Sequence, residues 1–211
     1  MIEFQEIQVN RYQKIAYAEV NYAAKQELID FLQKHNVEMQ EMNNSKSERR
    51  QIEWMTIRAM LIQLLPDFCD IYYDEHRKPH LVDCHQYLSI SHSHHKVAVS
   101  IDEKKTTGID LQHITDKIIN IRAKFLNAIE QKRENTNTAI ELTLYWSIKE
   151  ALFKIYGKKD IYLKDNIQVE YIHFDGKEGT AKGSIKAQDY FSEHLLELKL
   201  IDDYVMAYVV N

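Results

Sequence analysis

No stretch of this 211-residue chain can serve as a flexible linker. Its 5 glycines and 2 prolines are scattered, and no Gly-, Pro- or Ser-rich run parts one half from the other. A chain of this length forms one large domain or two small ones. Without a linker, two halves would have to pack directly on each other. A composition 45% hydrophobic and 28% charged supplies a core for either arrangement. The formal charge of −5 argues against general nucleic-acid binding. Basic residues nonetheless cluster at Lys46/Arg49/Arg50/Arg58 and at Lys149/Lys154/Lys158/Lys159, and such clusters hold phosphates even in an acidic protein. Cys69 and Cys84 lack disulfide-scaffold or zinc-site spacing. They read as packing residues in a reducing compartment. No basic-then-apolar N-terminal segment and no apolar run of about 18 residues is present, so a cytoplasmic protein without a membrane span is expected.

Hydrophobic periodicity outlines the elements. Ile15–Asn21 reads as a strand and Ala23–His35 as an amphipathic helix. Ser45 with Glu48 offers a capping box for a second helix that Pro66 stops near Leu65. There Trp54, Ile57, Leu61 and Leu64/Leu65 mark the apolar side, and Arg49, Arg50 and Arg58 fall on or near the exposed start. Ile71–Tyr73 is a short strand broken at His76-Arg77-Lys78-Pro79. Tyr87–Ser91 and Val97–Asp102 form a hairpin-like pair, and Thr107–Leu111 a further strand. Helix is expected from about Thr115 to Glu130. After Gly157 strands dominate, over Ile167–Phe174, Thr180–Lys186, Leu195–Ile201 and Tyr204–Val210, with turns at Asp175-Gly176 and Asp202-Asp203. Both halves thus mix helices with antiparallel strands, an α+β pattern.

The segment Trp146–Lys154 carries the most chemistry. Wound as a helix, it sets Leu144, Ile148, Ala151, Leu152 and Ile155 on one side. Trp146, Lys149, Glu150, Phe153 and Lys154 are expected on the other. Aromatic residues among charges suit a helix between two layers with its charges in a cleft. A surface helix with a Glu150–Lys154 pair, contributing about 0.3–0.5 kcal/mol, is the plainer alternative. The strand Gly108–Gln112 favours the first. Ile109 and Leu111 point to a core, while Gly108, Asp110 and Gln112 face the other way. The glycine permits close approach of a ligand or backbone. A carboxylate and an amide on one strand face, with a helix glutamate nearby, would make an oxygen-only site suited to Mg²⁺, a pairing that spacing alone does not supply.

These two segments, Thr107-Gly-Ile-Asp-Leu-Gln112 and Trp146-Ser-Ile-Lys-Glu-Ala-Leu-Phe-Lys154, resemble the signature motifs of the 4′-phosphopantetheinyl transferase superfamily, Gly-(Ile/Val)-Asp-x-Glu and Trp-x-x-Lys-Glu-(Ala/Ser)-x-x-Lys. Further segments resemble the family in the same order. They are the basic helix from Arg49/Arg50 to Arg58, the turn His76–Pro79, Ser89-Ile-Ser-His-Ser93, and Phe125-Leu-Asn-Ala-Ile-Glu130. Six segments in order are far more specific than one. Length and absent linker resemble the monomeric, pseudo-dimeric type that activates peptide and polyketide synthases.

The resemblance implies an α+β fold of two similar halves in a pseudo-twofold arrangement, residues 1–103 and 104–211, with the ligand between them. It implies transfer of phosphopantetheine from coenzyme A to a serine of an acyl or peptidyl carrier protein, releasing adenosine 3′,5′-bisphosphate. Asp110, Gln112 and Glu150 would hold Mg²⁺. Glu150, or Glu130 through water, would take the serine proton. Lys149 and Lys154 would contact phosphate. Arg49, Lys78 and His92 would hold coenzyme A, with Arg50 and Arg58 sharing that work. The acidic carrier would dock on basic and apolar residues around Lys117–Asn137.

Three positions depart from the pattern. Gln112 stands where many relatives have a second acidic ligand, His76 replaces the usual glycine of its turn, and Ser89 the usual asparagine. A non-catalytic relative that binds coenzyme A or a carrier without turnover is the alternative that Gln112 raises. A zinc site built from His92, His94 and His95 with His80 and His85 is a more distant one.

Overall fold

A computed structural model describes residues 2–68, 70–133 and 136–211. Cys69 therefore lies outside the described residues, whereas Cys84 is a free, half-buried thiol. The N-terminal part runs β1 (Gln5–Gln8), β2 (Gln13–Glu19), a 3₁₀ turn, α1 (Lys25–Lys34), α2 (Gln40–Asn43), α3 (Glu48–Leu64), β3 (Ile71–Tyr73), β4 (Pro79–Leu81), β5 (Tyr87–Ser93) and β6 (Lys96–Asp102). The remainder runs β7 (Ile109–His113), α4 (Lys117–Phe125), a 3₁₀ turn (Glu130–Lys132), α5 (Ala139–Tyr156), α6 (Leu163–Asn166), β8 (Ile167–Phe174), β9 (Glu178–Ala187), β10 (Tyr190–Ile201) and β11 (Tyr204–Val210). Every strand pairing is antiparallel among the described residues. One sheet has the order β1-β2-β6-β5, the other β7-β11-β10-β9-β8, and β3-β4 form a separate ribbon. The α+β expectation holds.

Three apolar clusters explain the layering. The first seals α1 and α3 on the four-stranded sheet, through residues such as Leu28, Leu32, Met55, Leu61, Val97 and Val99. The second seals α4 and α5 on the five-stranded sheet, through Phe125, Leu142, Ile148, Leu152, Val205 and Val209. The third joins the two sheets, where Ile15 and Ala98 meet Ile109, Leu111, Met206 and Tyr208. β6 is consequently buried along its whole length and β11 along nearly all of it. β11 is a continuous apolar run, as strands covered on both faces are, whereas β6 also buries Lys96, Ser100 and Asp102. The halves pack directly on each other.

A polar joint adds to that packing. β5 and β7 are edge strands of different sheets, and an edge leaves unpaired backbone donors. Buried serine hydroxyls receive them in alternation. Ile109 N donates to Ser89 Oγ at 3.1 Å, Leu111 N to Ser91 Oγ at 3.0 Å, and His113 N to Ser93 Oγ at 3.1 Å. Near the chain end, Gln13 Nε2 donates to Val209 O and to Thr107 Oγ1 across the same junction.

α5 is the long helix of the second half. A capping box of Thr138 and Glu141 starts it, and Gly157 in the left-handed region (φ 75°) ends it. The stripe Leu144, Ile148, Ala151, Leu152 and Ile155 is buried as expected. Gly108 serves backbone approach. A Cβ there would lie 2.2 Å from the Ala151 carbonyl oxygen, so any side chain forces β7 and α5 apart. Gly108→Ala is expected to cost about 2–3 kcal/mol, the upper range for overpacking, read as a lower midpoint in urea unfolding.

Several local expectations shift. α3 is capped by Ser47, whose hydroxyl accepts from Arg50 N, and not by Ser45. The helix expected to Glu130 stops at Phe125. Leu126 is extended, and the Asn127 side chain accepts from Ile129 N and Glu130 N to start the 3₁₀ turn. Arg77, not His76, takes the left-handed conformation of its turn, at φ 66°. Asp74 builds that turn by accepting from His76 N and Lys78 N.

Candidate active site

Asp110 sits on β7, its side chain turned towards β5 and α5. Its Oδ1 accepts from Ser91 Oγ and Lys154 Nζ, both at 2.9 Å. Lys154 Nζ also donates to Ile109 O at 2.7 Å. Asp110 Oδ2 is buried with no hydrogen-bond partner. Such an atom costs free energy unless something fills its vacant lone pair. Glu150 lies close enough for the two carboxylates to repel. Burial first, and then the Asp110 charge, push its carboxyl from an ordinary 4.5 up to about 7, with Lys154 pulling the other way. Two carboxylates that cannot comfortably ionise together want a cation between them. The donor set is oxygen only, so an Mg²⁺-type ion fits it. Gln112 is half-buried on the same strand, and its amide donates to His113 O.

A cleft of about 410 Å³ opens beside this pair. Trp54, Ile57, Tyr73, Pro79, Leu88 and Phe153 form its apolar wall, and Arg50, Arg77, Lys78, Lys154, Lys158 and Lys159 supply positive charge. Glu53 is the single carboxylate among its lining residues. An apolar wall with a cationic rim suits a ligand carrying an aromatic base and several phosphates. Lys154 belongs to both the cleft and the Asp110 site. Lys78 Nζ donates to Ile155 O at 3.2 Å and lies against Gly157, over the negative end of α5. Burial holds its ammonium below the ordinary range, with Asp74 opposing.

The structure does not assemble every expected residue here. Lys149 and Glu130 are both fully buried and paired at 2.8 Å. Lys149 Nζ also donates to Leu163 O and Ile167 O. Glu130 Oε1 accepts from Val169 N, and its Oε2 from Asn127 N. Neither side chain has a free polar atom to offer a phosphate or a water, so the phosphate contact expected of Lys149 and the base role expected of Glu130 are withdrawn. The pair fastens the 130 turn to α5, α6 and β8. Trp146 likewise packs edge-on against Phe125 instead of lining the cleft.

Arg58 is a second correction. It is 1% exposed, donates to Asp70 Oδ1 at 2.9 Å and to Glu41 Oε2 at 3.2 Å, and stacks on Trp54 with its guanidinium carbon 3.7 Å from the ring centroid. It braces the cleft wall from behind and is committed to protein partners. Arg49 is exposed on α3, its Nε 3.4 Å from Glu53 Oε1. His92 lines the cleft, its Nδ1 3.4 Å from Glu53 Oε2. Arg50, expected to share the phosphate work, does line the cleft.

The other histidines do not converge as ligands. His94 stacks on His113 with ring centroids 4.2 Å apart, and His113 stands edge-on to Tyr204. Among the described residues no group of three or more His, Cys, Asp or Glu is placed to hold a metal ion. The zinc alternative thus loses its ligand set. The same criterion leaves the Asp110 site with two carboxylates, so its remaining ligands must come from an amide, water or substrate.

The model of the 4′-phosphopantetheinyl transferase superfamily matches residues 106–209. Residues 106–209 thus carry the pattern of that superfamily. The match contains β7 with Asp110, and α5 with Glu150 and Lys154, so the matched half holds the whole carboxylate pair. No curated protein gives a significant match. The match points to phosphopantetheine transfer as the general reaction class. Among the described residues no helix is long and apolar enough to cross a membrane.

Sequence reasoning missed three structural partners of the site. Ser91 fixes both Asp110 and the Leu111 backbone. Asp74 shapes the turn that presents Lys78. Glu53 lies beneath Arg49 and His92. The alternation Ser89-x-Ser91-x-Ser93 was a visible signal for the first, since a strand sends every second side chain to one face.

Proposed function

We propose that this chain transfers 4′-phosphopantetheine from coenzyme A to a serine hydroxyl of an acyl or peptidyl carrier protein, releasing adenosine 3′,5′-bisphosphate. The observation that carries the reading is the Asp110–Glu150 carboxylate pair with one buried oxygen unfilled, next to a cationic, aromatic-walled cleft. Mg²⁺ held by Asp110 and Glu150, with Gln112 or waters completing its shell, would neutralise the diphosphate. Lys154, already on Asp110, reaches the cleft and offsets charge growing on the leaving phosphate. Glu150, its second oxygen turned to the incoming hydroxyl, would take the serine proton. The serine oxygen forms a bond to the pantetheine-side phosphorus as the bond from that phosphorus to the bridging oxygen breaks. The bisphosphate leaves with the electron pair. Lys78, Arg50, Arg49 and His92 would hold coenzyme A.

The same reading carries the architecture. Each half has one antiparallel sheet with a long helix on its outer face, and α3, β5 and α5 all contribute to the cleft. That is what two similar halves, 1–103 and 104–211, arranged about a pseudo-twofold axis and acting as a cytoplasmic monomer would give. An acidic carrier would dock beyond β7, around residues 117–137, of which 134 and 135 lie outside the described residues. Ile129, 64% exposed, lies there between Lys124 and Lys132.

Incubation with coenzyme A, Mg²⁺ and an apo carrier, followed by weighing the carrier, tests the function. Transfer adds one phosphopantetheine mass. An unchanged carrier despite bound coenzyme A would favour the non-catalytic alternative, which rests on the amide at position 112. Gln112→Glu adds the missing negative charge and is expected to tighten Mg²⁺ binding by about tenfold, near 1.4 kcal/mol. A Mg²⁺ dependence of transfer identical to that of the unaltered protein would remove Gln112 from the ligand set.

A further inference from the structure

The serine joint between β5 and β7 has one member unlike the other two. Leu111 N can only donate, so Ser91 Oγ must accept from it and turn its own proton elsewhere. That proton goes to Asp110 Oδ1 at 2.9 Å. Ser89 and Ser93 receive Ile109 N and His113 N in the same way, but among the described residues only the Ser91 hydroxyl of the three reaches a carboxylate. An aspartate side chain otherwise turns broadly about its last torsion and exchanges its two oxygens. Here Ser91 from β5 and Lys154 from α5 both hold Oδ1, and Oδ2 is the oxygen without a hydrogen-bond partner. The Lys154 side chain is long and 26% exposed, so it has freedom to move. Ser91 is buried and pinned by a backbone amide. It is the rigid one of the two donors.

We propose that Ser91 is a positioning residue for cation binding, its hydroxyl holding the Asp110 carboxylate so that Oδ2, and not Oδ1, meets the metal. This rests on the reading above in one respect, that a divalent cation lies between Asp110 and Glu150. The Ser91 bond also crosses the junction of the halves, since β5 belongs to the four-stranded sheet and β7 to the five-stranded one. Both carboxylates lie within residues 106–209, whereas the serine that sets the angle of one of them lies outside that range. The first half thus contributes to the cation's affinity without giving it a ligand. Groups that orient a metal-binding side chain by a hydrogen bond change affinity by about 10–100-fold when removed.

Titration of the full chain with Mn²⁺ in the presence of coenzyme A, followed by electron paramagnetic resonance, tests the role of Ser91 without requiring transfer. Ser93→Ala is the control. It and Ser91→Ala each leave one β7 amide without its acceptor, so both should lower the midpoint of urea unfolding by a similar amount. Only Ser91→Ala is expected to weaken Mn²⁺ binding, by about tenfold or more, while Ser93→Ala keeps the affinity of the unaltered protein. Ser91→Cys keeps the size with a weaker donor. Its affinity is expected to fall between those of the unaltered protein and Ser91→Ala, which gives a reading even where the alanine variant does not fold. Equal Mn²⁺ affinities in Ser91→Ala and Ser93→Ala overturn the proposal and leave Ser91 a structural member of the joint. So does tighter binding by Ser91→Ala, or a Ser91→Cys variant as tight as the unaltered protein. A tight site that Asp110→Asn abolishes and Ser91→Ala leaves intact refutes the role of Ser91 and spares the cation reading. No tight site in the unaltered protein contradicts the cation reading itself, and this proposal with it.

Discussion

Glu150→Gln is expected to abolish transfer and, at the same time, to make the metal-free protein more stable. The activity loss should be roughly 10³-fold, since the variant lacks both a charged metal ligand and the group suited to accept the serine proton. The stability gain follows from the raised carboxyl. In the unfolded chain Glu150 ionises around 4.5, but in the fold it holds its proton to about 7 because of burial and Asp110. Between those values the native state binds more protons than the unfolded one, so stability falls as pH rises through this window and is flat above it. At about 1.4 kcal/mol for each pH unit the cost approaches roughly 3 kcal/mol above pH 7. Gln avoids that cost. Urea unfolding in the presence of a chelator should therefore show the variant and the unaltered protein close together near pH 4.5 and separated above pH 7, with the variant higher. Adding Mg²⁺ and coenzyme A should raise the unaltered protein selectively, because only its site gains the cation. Equal stability of the two across the whole range would mean that Glu150 is not held in the way described.

The second large effect concerns Lys149. Because it is sealed against Glu130 and two carbonyls, Lys149→Met leaves a fully buried carboxylate without its cation. Breaking one side of such a pair costs about 3–5 kcal/mol. The double change Lys149→Met with Glu130→Gln should recover part of that loss, since no uncompensated charge remains. Burial already holds the Lys149 ammonium below its ordinary range, with Glu130 opposing. The protein that still folds should keep an unaltered KM for coenzyme A. A lysine that touched phosphate would behave the other way, with near-normal stability and a KM raised about tenfold. Urea midpoints and KM values on the same preparations separate the two.

Lys149 also shows why the site was only partly legible in the sequence. At about 100° per residue, Lys149 and Lys154 stand roughly 140° apart on the helix, so one face could not present both to the same cleft. Glu150 and Lys154, about 40° apart, do share a direction, and they are the residues of that motif that reach the Asp110 site. Periodicity therefore carried the sorting, but only if applied pair by pair. Arg58 was not readable in this way. Its partners Asp70 and Glu41 lie 12 and 17 positions away across turns, and an arginine near a phosphate-binding helix start looks the same in sequence whether it faces solvent or a buried acid.

The fold was more accessible than the site. β6 and β11 fall where Val97–Asp102 and Tyr204–Val210 read as strands, and α5 buries the stripe Leu144, Ile148, Ala151, Leu152 and Ile155 that its periodicity marks. Elements whose limits depend on side-chain to backbone bonds were placed less well. α4 ends early because Asn127 starts a new turn, and β7 begins at Ile109 with Thr107 and Gly108 committed to the junction with Ser100, Gln13 and α5. The serine joint between β5 and β7 depends on strands about twenty residues apart in sequence, and no local pattern states that they meet.

The most direct measurement is a titration with Mn²⁺ in the presence of coenzyme A, following free Mn²⁺ by electron paramagnetic resonance at several pH values. If Asp110 and Glu150 together hold the cation on the diphosphate, one tight site should be found. Its affinity should rise about tenfold for each pH unit up to about 7, as Glu150 gives up its proton, and then level off. Asp110→Asn should lose that site. Equally tight Mn²⁺ binding in Asp110→Asn, or an affinity indifferent to pH between 5.5 and 7, would contradict a cation shared by these two carboxylates.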